Sequence, residues 1–362
     1  MMNTQRLSPD ALDLEAFKAL LDTPAIKPPL AASLESGVPV YEAAALSSRL
    51  EDGPGRAEML DEWADVLMNG AGCFAILGAT PDPTVIDNAS TVLFDLINQE
   101  KAGSAGGGDH FAAAGLNDRL WNSLEKHALA SPESFIAYYA NPWIAAASEA
   151  WLGPRFQMTA QVNLVHPGGQ PQTAHRDYHL GFMQQHQSAQ FPLHAHLLTA
   201  ALTLQGAIAH VDIPIEAGPT KLLPHSQKYA LGYLAYHEQA FRDVFEERFV
   251  QVALGKGDLL WFNPATFHAA GENRTPDVER LVNLFQVSSA FGRPMETIDR
   301  SAMLAAVEPA LASARLSDIE RRAVIASTAE GYAFPLNLDT NPPVGGLAPA
   351  TDQERLLNGA AR

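Results

Sequence analysis

The segment His175-Arg176-Asp177, with His268 further along the chain, has the residue types and spacing best suited to chemistry. Residues two apart in an extended strand project from the same face, so the His175 imidazole and the Asp177 carboxylate can reach one ion without distorting the backbone. A third ligand then has to come from a neighbouring strand, and His268 is of the right type. Two histidines and one carboxylate on one face of an octahedron leave three positions open, which is the ligand set of non-haem iron(II) oxygenases. The same donors also hold zinc in hydrolases, so residue type alone leaves the metal open. A bare H-x-D is common by chance, and its surroundings carry the information. All 12 histidines lie between His110 and His268, eight of them between His166 and His225. Taken singly, a histidine is usually a hydrogen-bonded structural residue. His179 lies two residues past Asp177 and would share the ligand face if the strand ran on.

Arg280 opens the apolar run RLVNLFQVS just beyond His268. A guanidinium there can grip a carboxylate with two parallel hydrogen bonds, and 2-oxoglutarate has a distal carboxylate that must be anchored while its other end meets the metal. A surface cation is the plain alternative. Tyr178, His179, Phe182, Trp261 and Phe111 are candidates to face a substrate; each also reads as core packing, Trp261 most of all.

These residues need a scaffold. Ser8-Pro9 is a helix start leading into DALDLEAFKALLDT, followed by a proline-rich linker near residues 26–30. Apolar spacing at Met59, Leu60, Trp63, Val66 and Leu67 predicts a helix over 56–69, ended by Gly70 to Gly72, with GCFAILGA as a short buried strand. Further helices are expected over 82–96, 117–129 and 131–151. The glycine-rich stretch 103–108 lacks the Lys-Ser/Thr of a phosphate-binding loop. From Phe156 the chain changes to short β-branched and aromatic runs, among them FQMTAQVNLV, DLLWF and RLVNLFQVS, the pattern of a β-sandwich or barrel. The apolar stretch 195–211 carries too many polar residues for a membrane span and reads as buried strands. After Phe291 the pattern is helical again, with a capping box at Ser317–Glu320 and a loop-like tail.

Composition bounds the partners. With 41 acidic against 24 basic residues, the net charge of −17 argues against nucleic-acid binding and disfavours a strongly anionic substrate. The single cysteine, Cys73, excludes internal disulfides and cysteine-based metal clusters. The N-terminal residues show no basic start followed by an apolar run, so no secretory signal is expected, and a cytoplasmic setting without membrane attachment fits.

AHRDYHLGF, IEAGPTKLLPHSQKY and GKGDLLWFNPATFHAAGENRT followed by Arg280 resemble the phytanoyl-CoA dioxygenase family in order, spacing and wording. The resemblance covers roughly residues 56–289. It implies a double-stranded β-helix (jelly-roll, cupin-like) in an α+β, mainly β core with flanking N-terminal helices and a helical C-terminal extension. The corresponding division is an N-terminal helix and linker (1–55), an oxygenase domain (56–290, helical to 155 and β from 156), and a C-terminal extension and tail (291–362). It further implies iron(II) held by His175, Asp177 and His268, 2-oxoglutarate bound by Arg280 with Gln161 nearby, and O2 as oxidant. Because halogenating relatives lack the carboxylate, Asp177 favours hydroxylation of an unactivated C–H bond in a small metabolite, with release of succinate and CO2. Two departures stand out. His225-Ser226-Gln227 replaces the family's glycine-serine-histidine, and the aromatic residue before the central acidic turn is missing from LQGAIAHVD. Neither the substrate nor the oligomeric state follows, though a homodimer is the common form at this size. The competing readings are a non-catalytic metal or small-molecule binding protein and a zinc or manganese hydrolase on the same fold.

Overall fold

The computed structural model describes residues 7–103, 116–333, 338–340, 342–343 and 345–359. Its ten strands are β1 (Ser33–Glu35), β2 (Val38–Glu42), β3 (Cys73–Leu77), β4 (Asn117–Leu120), β5 (Gln157–Val165), β6 (Thr203–Ala209), β7 (Lys221–Leu223), β8 (Leu259–Phe262), β9 (Phe267–Ala269) and β10 (Arg280–Ser288). Eight form one sheet in the order β1-β2-β3-β8-β6-β10-β5-β4, and β7 pairs with β9 in a second, small sheet. Every pairing is antiparallel except β2 with β3. The result is a jelly-roll β core flanked by helices.

The long strands β5 and β10 form the spine. They pair from Arg280↔Val165 to Ser288↔Gln157, and β10 pairs on its other edge with β6 from Val282↔Ala209 to Ser288↔Thr203. Because side chains alternate across a strand, one face of this sheet buries Met158, Ala160, Leu204, Phe285 and Val287 against helices. The other face takes Arg280, Val282, Leu284 and Gln286 into a cavity closed by the small sheet. The helical layer includes Pro132–Tyr139, Pro142–Leu152, Arg300–Ser313 and Asp318–Thr328, whose apolar residues share one core with the sheet.

Local signals explain these elements. Helix Gly53–Met68 begins where the Asp52 side chain accepts the Gly55 N–H, with proline in its first turn, and it buries Met59, Trp63, Val66 and Leu67. Trp63 stacks on Phe74 of β3 with ring centroids 5.3 Å apart, which seats the helix on the sheet.

Several expectations need correcting. Ser8-Pro9 starts only a short 3-10 turn, Pro9–Ala11; the helix proper is Leu14–Leu21, capped by Asp13. The segment before residue 55 also contributes β1 and β2 to the main sheet, beyond the helix and linker read from its sequence. Residues 117–120 are strand rather than helix, because Asn117 to Leu120 lie opposite Val165 to Val162 of β5; helix resumes at Ser123–Ala130. The stretch 195–211 is not all strand. Helix Leu193–Ala201 precedes β6, turning His196 and Thr199 inward while Leu193, Leu197 and Leu198 are exposed, an inverted pattern that hides helical periodicity. Among the described residues no helix is long and apolar enough to cross a membrane.

Candidate metal and cosubstrate site

His175 follows β5 in an extended loop and forms an isolated antiparallel bridge with His268 of β9. Each backbone N–H donates to the other's carbonyl, at 3.0 and 3.1 Å. This bridge sets the two imidazoles side by side, centroids 4.5 Å apart. Each Nδ1 lies 2.8 Å from the carbonyl oxygen two residues before it, Thr173 for His175 and Thr266 for His268. A carbonyl only accepts, so both Nδ1 atoms carry the proton and both Nε2 atoms present lone pairs. Those Nε2 atoms converge on the Asp177 carboxylate, 3.6 Å from Oδ1 for His175 and 3.4 Å from Oδ2 for His268. One ligand atom from each of the three residues fits within a 4.8 Å span.

Arg176, between the first two, points the other way into the protein. Its buried guanidinium donates to the Ser226 and Tyr229 carbonyls at 2.6 and 3.0 Å and lies over the Tyr233 and Phe267 rings. Gly232 leaves the space for it, since a Cβ there would lie 1.8 Å from the guanidinium carbon. The H-x-D alternation thus directs 175 and 177 to the cavity and 176 to a locking pocket. Ser226, from the departed His225-Ser226-Gln227 stretch, accepts the Phe267 N–H at 2.7 Å and so braces the strand that carries His268.

The extended run stops at Tyr178, whose φ of +63° turns the chain into the 3-10 segment His179–Phe182. His179 therefore does not continue the ligand face; its Nδ1 hydrogen-bonds Thr199 Oγ1 at 2.5 Å. Tyr178 is buried with its hydroxyl donating to the Val287 carbonyl, and Phe182 is exposed at the cavity rim. Trp261 is a correction. It is fully buried, stacked on Phe285 and packed over Gly206, on the helical side of the sheet and not in the cavity. Phe111 lies outside the described residues.

Burial by itself would raise the Asp177 carboxyl, but His175, His268 and the Gln205 amide outweigh it and hold the acid below the usual carboxylate range. Burial lowers His175, favouring its neutral form. A neutral imidazole beside an ionised carboxylate is the protonation state a divalent cation requires of its ligands. Gln205, on β6, donates from Nε2 to Asp177 Oδ2 at 2.5 Å.

The site opens into a cavity of about 870 Å³. Arg280 lies in its wall, nine-tenths or more buried, with Nη1 donating to the Ala217 and Gly271 carbonyls at 2.9 and 3.0 Å. Burial lowers the guanidinium to about 10, and among the described residues no carboxylate pairs with it. A buried cation without a counter-charge is costly unless an anion joins it. Gln161, opposite Leu284 in the β5–β10 register, accepts from Arg119 Nη1 at 3.1 Å and reaches Met295 Sδ at 3.4 Å. The structure thus brings His175, Asp177, His268, Arg280, Gln161, Tyr178, His179 and Phe182 to one cavity. Sequence reasoning missed Gln205, Arg119 and Glu296, also in its wall. Alternation along β6 could have put Gln205 on the inner face, but nothing local marked the other two.

A phytanoyl-CoA dioxygenase (PhyH) family model matches residues 75–282. Similar solved structures include the non-heme alpha ketoglutarate dependent carbocyclase SnoK from nogalamycin biosynthesis, 19% identical over 65% of this chain and 86% of that one, with a TM-score of 0.46. The epimerase SnoN in complex with Fe3+, alpha ketoglutarate and nogalamycin RO is 19% identical, covering 65% and 85%, at 0.44. HygX from Streptomyces hygroscopicus with nickel and 2-oxoglutarate bound is 12% identical, covering 65% and 90%, at 0.43. No curated protein matches the chain.

Proposed function

Since the chain belongs to the phytanoyl-CoA dioxygenase family, whose enzymes depend on iron(II), 2-oxoglutarate and O2, we propose that it hydroxylates an unactivated C–H bond of a small metabolite. The balanced reaction takes substrate, 2-oxoglutarate and O2 to hydroxylated substrate, succinate and CO2. The observation that supports this reading best is the convergence of two Nε2 lone pairs and one ionised carboxylate in the same cavity as a buried guanidinium that has no carboxylate partner among the described residues. The donor set fits iron(II), and the isolated cation fits the distal carboxylate of the cosubstrate.

The bound iron and cosubstrate supply the oxidising power; the chain supplies placement. The carbonyls of Thr173 and Thr266 fix the imidazole tautomers, and Gln205 fixes the carboxylate. Arg280 holds the cosubstrate's far end in register, while Val282, Leu284, Ile213 and Phe262 line the cavity with apolar surface that keeps water from the reacting groups. Retention of Asp177 favours hydroxylation within this reading. A reducing, cytoplasmic setting suits both ferrous iron and the buried thiol of Cys73.

The test is an anaerobic titration of metal-free protein with iron(II) and 2-oxoglutarate, watching for the weak visible charge-transfer band of the keto-acid complex. A band that needs both components and vanishes in His175→Ala supports the reading, and a screen by succinate release and oxygen incorporation then follows. Iron binding without a band would overturn it.

A further inference from the structure

Among the described residues, four acceptor oxygens in the cavity wall have no protein donor: Asn163 Oδ1, Gln205 Oε1, Gln286 Oε1 and Glu296 Oε2. Gln205 and Gln286 face each other across the β6–β10 register, beside Asp177. The Gln205 amide cannot turn over to hide its oxygen, because its Nε2 must face the Asp177 carboxylate. Glu296 has no donor of its own to offer when ionised. A buried acceptor left unmatched is costly, and four around one cavity are a pattern that a donor-bearing ligand would resolve.

Glu296 is also held in place. Asn122, in the left-handed region at φ +52°, donates its backbone N–H to Glu296 Oε1 at 2.7 Å. On either side, the Arg293 carbonyl accepts from Ser288 Oγ, Met295 Sδ meets Gln161, and the Asp299 N–H donates to Glu125. Among the described residues Glu296 forms no ion pair. The charged and titratable groups facing it are Arg119 on β4, Glu125 and Lys126 on helix Ser123–Ala130, and Tyr178 on the metal loop. Lys126 is paired with Glu100, and Arg119 bonds Gln161. Arg293 lies on Glu296's own segment.

Building on the oxygenase reading, we propose that Glu296 binds a protonated amine of the primary substrate, with the Gln205 and Gln286 amide oxygens taking adjacent N–H or O–H donors. The substrate class is therefore a small amino compound rather than a carboxylate or an acyl thioester. Burial, partly countered by the Asn122 N–H, Lys126 and Arg119, raises the Glu296 carboxyl to about 7. Binding of an amine accordingly strengthens as pH rises through that value, as the carboxyl ionises.

The experiment uses anaerobic protein with iron(II) and 2-oxoglutarate, titrated with benzylamine, benzyl alcohol and benzoate, then with butylamine, butanol and butyrate, reading tryptophan fluorescence. Each amine should bind more tightly than its matched alcohol and carboxylate. Glu296→Gln should weaken amine binding about tenfold to a hundredfold and remove its pH dependence, Glu296→Asp should recover part of it, and Gln286→Leu should weaken it separately. Amines that bind no better than the matched alcohols, or bind Glu296→Gln as they bind the parent, would overturn the proposal. The charge-transfer band, recorded in the same samples, reports cofactor assembly separately: its absence from the parent protein defeats the oxygenase reading, whereas the fluorescence comparison still decides the role of Glu296.

Discussion

Replacing Arg280 tests the cosubstrate assignment against a number. Among the described residues its buried guanidinium has no counter-ion, and the drop from the ordinary arginine range to about 10 corresponds to roughly 3 kcal/mol of desolvation carried by the charged form. Nη1 is committed to the Ala217 and Gly271 carbonyls, which leaves the rest of the guanidinium for an anion. Arg280→Ala removes the partner of a buried carboxylate and should weaken 2-oxoglutarate binding by about 2–5 kcal/mol, or roughly thirtyfold to several thousandfold in Kd. Arg280→Lys keeps the charge but not the planar fork, and should lose about 1.5–3 kcal/mol, the worth of one charge-assisted hydrogen bond. Stability without ligand should respond less, because relief of the unpaired cation opposes the two carbonyls left without a donor. The assay is an anaerobic 2-oxoglutarate titration at fixed iron(II), read by the charge-transfer band, with thermal unfolding in parallel. An Arg280→Ala protein that binds 2-oxoglutarate with the parent's Kd would refute the assignment, whatever its stability.

Gln205→Ala leaves Asp177 Oδ2 without its donor and should lower iron(II) affinity about 10–100-fold, checked by competition with a chelator; unchanged affinity would mean the histidines alone orient the carboxylate. Gly206→Ala places a Cβ 2.3 Å from the Trp261 ring, on the helical side of the sheet, and should cost about 1–3 kcal/mol in urea unfolding while the charge-transfer band persists. Burial lowers His127 to about 4 and His210 to about 3, so the unfolded chain binds these protons at higher pH than the fold does. Stability should therefore fall as pH drops from about 6.5 toward 4, by about 2 kcal/mol for each of these two histidines at pH 5, and in urea titrations at pH 7 and 5 His210→Gln should reduce the loss by about 2 kcal/mol. An undiminished loss in the variant would place the acid sensitivity elsewhere.

The metal constellation was legible because its geometry is local. The H-x-D spacing works in any extended segment, so it survives the finding that His175 lies in a bridge and not in a regular strand. Arg280 was legible for a similar reason, since the start of a long apolar strand is a definite place. What was hidden depends on tertiary placement. Helix Leu193–Ala201 turns two of its polar residues inward and exposes leucines, which defeats an argument from periodicity, and β4 is a strand because β5 offers it an edge. Trp261 shows the same limit: an aromatic residue on a strand near the site faces either the cavity or the core, and only the register with Gly206 and Phe285 decides for the core.

That register also explains how the two faces of the sheet divide the work. Along β10, Arg280, Val282, Leu284 and Gln286 face the cavity, whereas Leu281, Phe285 and Val287 are buried in apolar clusters. A one-residue slip would exchange these sets, burying Arg280 and Gln286 among apolar side chains. The Phe285–Trp261 stack over Gly206 opposes such a slip from the helical side, because a Cβ at 206 would lie 2.3 Å from the Trp261 ring. Packing on the helical face of the sheet therefore fixes which cations and amides the cavity receives. Core substitutions on that face should perturb cosubstrate and substrate binding together wherever they loosen the register, and leave both intact where they only lower stability.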